Sequence, residues 1–125
     1  GEHSGHFYFA NFWRADSGML AALYALAELK ASKSSLSELL KPFNRYAASG
    51  EINSKVKDAT KSINLIRDKY HDKYEIDELD GLTVTADSWW FNLRPSNTEP
   101  LLRLNVEANT EKEMAKIRDT VLSLI

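Results

Sequence analysis

Residues 89–108 read WWFNLRPSNTEPLLRLNVEA, two apolar-rich runs separated by a short loop rich in proline, hydroxyl and amide residues. In the second run Leu102, Leu104, Val106 and Ala108 alternate with Arg103, Asn105 and Glu107. Successive strand side chains point to opposite faces, so this spacing predicts a strand with one face in the core and the other in water. Residues 89–93 supply a second strand, and residues 94–100 connect the two. Working outward, Ala59, Ile63, Ile66 and Tyr70 recur at helical steps, Asp80 and Gly81 mark a turn, and Leu82, Val84 and Ala86 alternate with Thr83 and Thr85. Residues 51–56 predict a further strand. Thr110 and Glu113 stand at capping-box spacing before a last helix whose Met114, Ile117, Val121 and Leu124 form one apolar stripe. The prediction for this half of the chain is α+β: a small antiparallel sheet with helices packed on one face.

The first third reads differently. The run HFYFANFW, residues 6–13, is dense in aromatic residues and predicts a buried strand. Leu20, Leu23, Leu26, Ala27 and Lys30 then follow helical steps, with Asp16 or Ser17 placed to cap a helix that runs to Lys30. For Asp16 a helix cap is the preferred role. Ser35 and Glu38 have capping-box spacing at the start of a short helix that Pro42 must end. Residues 44–54, weakest at Ser49 and Gly50, read as the passage between two structural units, which divides the chain into residues 1–44 and 45–125.

Composition narrows what the chain can bind. The 125 residues carry 16 Lys and Arg against 18 Asp and Glu, a net charge of -2. Such a balance offers no global field for nucleic acid or anionic lipid, so an anion must be caught locally. Trp89 and Trp90 could serve as stacking platforms for a single strand, but paired tryptophans are more often core, and nucleic acid is not an expected partner. With no cysteine there are no disulfides, thiolate metal sites or thiol nucleophiles. The longest apolar stretch, residues 19–29, is interrupted by Tyr24 and Glu28 and is too short to span a bilayer. No membrane partner is expected, and the cytoplasm is the expected location. The opening Gly1-Glu2-His3 reads as a functional loop, which suggests a fragment of a longer protein.

The loop RPSNTEP, residues 94–100, has what a phosphate dianion needs. Arg94 offers a planar fork of donors, Ser96 and Thr98 add hydroxyls, and Asn97 adds an amide and tolerates a positive φ. Consecutive backbone amides can form an anion-binding nest, and Pro95 and Pro100 stiffen the bend. The same composition also suits a plain polar turn in which Arg94 pairs with Glu99, and residue types alone do not choose between the two. At the amino terminus, GEHSGH, residues 1–6, invites a metal reading through Glu2, His3 and His6, but it lacks a fourth ligand and a helix to organise it. A frayed chain start in which these residues do nothing is the other plain reading, and His6 by type suits either moving a proton or tying down its own loop.

Two strings carry a resemblance. RPSNTEPLLRLNVEA, residues 94–108, resembles the phosphate-binding loop and following strand of the last domain of the α-D-phosphohexomutases, the phosphomannomutase/phosphoglucomutase family, and GEHSGH resembles the sugar-binding loop of their third domain. The resemblance implies that residues 1–44 end a third, sugar-binding α/β domain. It implies that residues 45–125 form the fourth, phosphate-binding domain, of TATA-box-binding-protein-like fold. It assigns Arg94, Ser96, Asn97 and Thr98 to the phosphate of a hexose phosphate that is not reacting, Glu2 and Ser4 to the sugar O3 and O4, and His6 to a supporting catalytic role. The family's phosphoserine loop and its Mg²⁺ loop have no counterpart here, so Mg²⁺ and the phosphoryl-transfer groups are expected in amino-terminal domains of a larger enzyme. No metal site is expected in this chain, which alone is expected to be inactive. Asn97 resembles the mannose and glucose branch, whereas the glucosamine branch usually carries glycine there.

Overall fold

The computed structural model describes residues 5–125, and the chain forms two units, Gly1–Asn44 and Arg45–Ile125. In the first unit, residues 6–9 run back against residues 15–17, where the one strand-like pairing among the described residues is an isolated antiparallel bridge between Tyr8 and Asp16. The strand expected over residues 6–13 does not form. The chain instead reverses through residues 10–14, where Trp13 and Arg14 both adopt the left-handed region at φ 49 and 54, and a residue in that region cannot continue a strand. Helix α1, Gly18–Ser32, follows. Its cap is Ser17, whose Oγ accepts from the Leu20 amide at 3.2 Å, and Lys33 in the left-handed region ends it. Helix α2, Leu36–Leu40, has the full capping box: the Glu38 amide donates to Ser35 Oγ, and the Ser35 amide donates to Glu38 Oε2 at 2.9 Å. Pro42 then forces the tighter turn of Lys41–Phe43.

The second unit runs β1 (Ala47–Ala48), β2 (Ile52–Lys55), α3 (Ala59–Tyr70), β3 (Glu75–Asp77), β4 (Leu82–Thr85), β5 (Trp89–Pro95), β6 (Leu101–Ala108) and α4 (Glu111–Leu122). Its strands make one six-stranded antiparallel sheet in the order β1-β6-β5-β4-β3, with β2 pairing β6 beside β1. The alternation in β6 holds: Leu102, Leu104, Val106 and Ala108 are buried and the residues between them half-buried. Trp89, Phe91 and Leu93 of β5 and Leu82 and Val84 of β4 share the buried face. On that face lie Ile66 and Tyr70 of α3 and Met114 and Val121 of α4. Burying each such Leu, Phe or Val contributes about 1.5–3 kcal/mol. Trp89 belongs to this core, stacked on Phe91 with ring centroids 6.1 Å apart. Thr110 caps α4, but its capping box is incomplete, because Glu113 accepts from Ser88 Oγ at 2.7 Å instead. That bond ties α4 to the start of β5.

Candidate functional site

The β5–β6 connection begins where Pro95, last residue of β5, pairs with Leu102. The Ser96 amide donates to the Leu101 carbonyl at 2.8 Å, closing the bend, and the Leu101 amide donates to the Glu99 carbonyl at 2.8 Å within it. The Val56 amide donates to the Pro100 carbonyl at 3.3 Å and ties the bend to the end of β2. Ser96 Oγ lies 3.5 Å from Thr98 Oγ1 and accepts from the Thr98 amide at 3.4 Å, so both hydroxyls sit at one side of the bend. Positive φ at Asn97 is not needed: among the described non-glycine residues only Trp13, Arg14 and Lys33 adopt it.

Arg94 and Arg103 are direct cross-strand partners. They therefore stand side by side on the wet face of the sheet, and like charges in that relation repel by a few tenths to about 1 kcal/mol. Arg103 reaches toward the bend, its Nη2 3.5 Å from Ser96 Oγ. Two carboxylates hold the pair: Asp80 Oδ2 lies 3.3 Å from Arg94 Nη1, and Glu51 places Oε2 3.8 Å from Arg94 Nη2 and Oε1 3.9 Å from Arg103 Nε. The last distance permits ionic attraction but no hydrogen bond, so the buried Arg103 Nε has no hydrogen-bond partner. The expected alternative pairing of Arg94 with Glu99 is not what forms. Arg94 keeps 38% of its side chain exposed, and ion pairs this open are worth under about 1 kcal/mol each, so an incoming dianion can compete for the guanidinium.

Gly81 backs the same place. At φ +75 it lets the turn run so close beneath β5 that an added Cβ would lie 2.6 Å from the Leu93 carbonyl oxygen and 2.7 Å from Arg94 Cβ. The Asp80-Gly81 turn is therefore part of the site's wall, since it brings the Asp80 carboxylate to Arg94. Arg103, Glu51 and Asp80 were not picked out by residue type. For Arg103 a signal existed, because its place in the alternation puts it on the wet face beside the loop. A separate concavity of about 260 Å³, lined by Tyr46, Trp90 and Glu107 among others, lies at the far end of β5, where Trp90 Nε1 donates to Glu107 at 3.3 Å. It shares none of the loop residues.

In the first unit, Glu2, His3 and Ser4 lie outside the described residues, and with them the sugar-loop and metal readings of the amino terminus. His6 is described: its Nδ1 lies 2.7 Å from Asp16 Oδ2. Asp16 is not the helix cap that the sequence suggested; the neighbouring Ser17 takes that role, and the second Asp16 oxygen accepts from the Phe7 amide at 2.7 Å. These two bonds, the His6 one first, hold the Asp16 carboxyl below the usual carboxylate range.

Compared with protein-family models, residues 51–124 match the phosphoglucomutase/phosphomannomutase C-terminal domain, and residues 1–46 match the alpha/beta/alpha domain III of the same enzymes. The chain belongs to the phosphoglucomutase/phosphomannomutase family. Among its relatives in that family, a phosphomannomutase of Methanocaldococcus jannaschii is 46% identical over 125 residues, covering 100% of this chain and 28% of its own length. A phosphomannomutase of Escherichia coli is 40% identical over 129 residues with the same coverage of both, 100% and 28%. A solved structure of a phosphoglucomutase/phosphomannomutase family protein from Burkholderia thailandensis superposes with TM-score 0.77 at 29% identity, covering 99% of this chain and 27% of that one. The chain thus spans about 28% of the length of the phosphomannomutases it matches.

Proposed function

We propose that this chain is the substrate-gripping, carboxy-terminal part of a phosphohexomutase that moves a phosphoryl group between O1 and O6 of mannose or glucose phosphates through a bisphosphorylated sugar. One observation carries the reading: two guanidiniums in cross-strand register, Arg94 and Arg103, under a bend that presents the Ser96 and Thr98 hydroxyls. A structural sheet gains nothing from such a pair, whereas a phosphate dianion turns the repulsion into attraction and can be met by two charge-assisted forks. Arg94, Ser96, Asn97 and Thr98, joined by Arg103, hold the phosphate that is not reacting, while Glu2 and Ser4 hold the sugar O3 and O4. Because those hydroxyls and that phosphate can be held in either ring orientation, the same contacts serve both halves of the reaction. Catalysis of this kind rests on positioning and on stabilising charge.

Mg²⁺ and the phosphoserine belong, in this proposal, to domains amino-terminal to these residues. Among the described residues no group of three or more His, Asp or Glu side chains is arranged to hold a metal ion. The proposed setting is the cytoplasm. Among the described residues no helix is long and apolar enough to cross a membrane.

The test is a mutase assay on the full-length enzyme with mannose 1-phosphate, glucose 1-phosphate and glucosamine 1-phosphate. Turnover of the first two, with kcat/KM reduced in the Arg94→Ala variant, is the expected result. Preference for glucosamine 1-phosphate would move the chain to the glucosamine branch. Tight phosphate binding without turnover of any sugar would make it a non-catalytic phospho-ligand module.

A further inference from the structure

One carboxylate beside the arginine pair is firmly placed yet hydrogen-bonded to neither guanidinium. β1 and β2 both pair with β6, and the chain steps off that ladder between them. At the step the Ser49 amide donates to the Val106 carbonyl at 2.9 Å, the Val106 amide donates to Ser49 Oγ at 2.9 Å, and Gly50 takes the left-handed region at φ 65. Ile52 then rejoins β6 opposite Leu104, and Asn53 stands opposite Arg103. Glu51 is fixed between the step and the strand, with only 30% of its side chain exposed. Its two oxygens address the two arginines separately, Oε2 3.8 Å from Arg94 Nη2 and Oε1 3.9 Å from Arg103 Nε.

A carboxylate that served only to hold an arginine would close a fork on it at about 2.7–2.9 Å. Glu51 does not, and Arg103 Nε is left buried without a hydrogen-bond partner. The carboxylate that is hydrogen-bonded to Arg94 is Asp80, at 3.3 Å. Glu51 therefore supplies charge without direction: it aims neither fork, but its negative charge is felt by any anion that the two guanidiniums hold. We propose that Glu51 is a release residue, a fixed negative charge that weakens the grip of Arg94 and Arg103 on the substrate's phosphate so that the bisphosphorylated sugar can let go and turn round. The proposal rests on the phosphohexomutase reading above. Glu51 acts through its field on the gripped phosphate and takes no part in the phosphoryl transfer.

Moving a phosphoryl group between O1 and O6 through one bisphosphorylated sugar requires the grip to open in each cycle, since the phosphate held first must leave and the other must take its place. Two forks and the Ser96 and Thr98 hydroxyls favour a tight hold on a dianion. A tight hold deepens the well from which reorientation starts without stabilising its transition state, in which the phosphate is free, and so slows turnover. A carboxylate on the order of 6 Å from a dianion repels it and offsets part of that hold. Because Glu51 is hydrogen-bonded to neither arginine, the offset ties up none of their donors.

Glu51→Gln tests this, because it keeps the shape and an oxygen for the Asn53 amide, 3.5 Å away, and removes only the charge. In an ¹⁵N titration of the chain, inorganic phosphate is expected to bind about 10-fold more tightly to this variant than to the wild type. In the full-length enzyme with mannose 1-phosphate, kcat and KM are each expected to fall about 10-fold, leaving kcat/KM within about threefold, the split of a grip that opens too slowly. Glu51→Asp, which keeps the charge, is expected to stay within about threefold of wild type in both constants. In the wild type the Glu51 side-chain carboxyl ¹³C resonance is expected to move as phosphate saturates the site, a readout that needs no variant. A resonance that stays still would overturn the proposal while leaving the mutase reading intact. So would unchanged constants in Glu51→Gln, or weaker phosphate binding with a raised KM, which would mean that Glu51 orients the arginines. A wild-type enzyme that turns over no hexose phosphate would instead sink the mutase reading, and the release role with it.

Discussion

Two guanidiniums set opposite each other on neighbouring strands need a reason, and at Arg94 and Arg103 the local carboxylates neutralise the pair only loosely. Replacing either arginine by alanine is expected to weaken phosphate binding about 10- to 100-fold, the worth of a charge-assisted hydrogen-bonded contact, as calorimetry would measure it. Arg94→Lys is expected to recover the charge but not the fork, and so to restore affinity only in part. Gly81→Ala is expected to cost roughly 1–3 kcal/mol in urea unfolding, since the new Cβ meets backbone at 2.6 Å with φ at +75. Asp16 gives the pH prediction. Its folded-state titration lies below that of an ordinary aspartate, so its bonds to His6 and Phe7 add stability in full above the ordinary value. That stability is lost as pH falls through the depressed folded value. The Phe7 amide resonance should therefore hold its shift on acidification to about pH 4 and move only below it. The contiguous loop residues Arg94, Ser96, Asn97 and Thr98 could be named as candidates because their types state their chemistry side by side. Glu51 and Asp80 were not, because each comes to Arg94 from a distant turn. Asp16 was misread because an aspartate before a helix has two common uses and Ser17, next to it, satisfies one of them.

At the level of elements, period-two and helical patterns were decisive where an element is long and has one buried face. β5, β6, α3 and α4 all announced themselves, and the core formed on the side the alternation named. β1 and β3, with 2 and 3 residues, are too short to show a period and exist because β6 and β4 offer them an edge. The aromatic run after residue 5 failed as a strand for the complementary reason: among the described residues it meets a single bridge at Asp16, and aromatic content cannot supply a ladder. Phe91, fully buried between the sheet and Tyr70, is the residue on which this packing most depends. Phe91→Ala is expected to lose about 3–5 kcal/mol in denaturant unfolding. Thr110→Ala is expected to lose only about 1 kcal/mol, the value of the cap at the start of α4.

For the whole molecule, every buried hydrophobic residue described, from Ile66 to Val121, belongs to the second unit. Helix α1 buries none, and its Met19 stands 78% exposed. Residues 45–125 alone should therefore melt within about 2 °C of the whole chain, because the part removed adds little to the cooperative core. The central claim is that the β5–β6 bend and the two arginines beside it grip phosphate, and the most direct measurement is a titration of the ¹⁵N-labelled chain with mannose 6-phosphate. Saturable shifts confined to the amides of Arg94 and of residues 96–99 and to the Arg94 and Arg103 Nε–H groups, lost in Arg94→Ala, are the predicted result. Unmoved resonances in the bend, or the same shifts in Arg94→Ala, would contradict it.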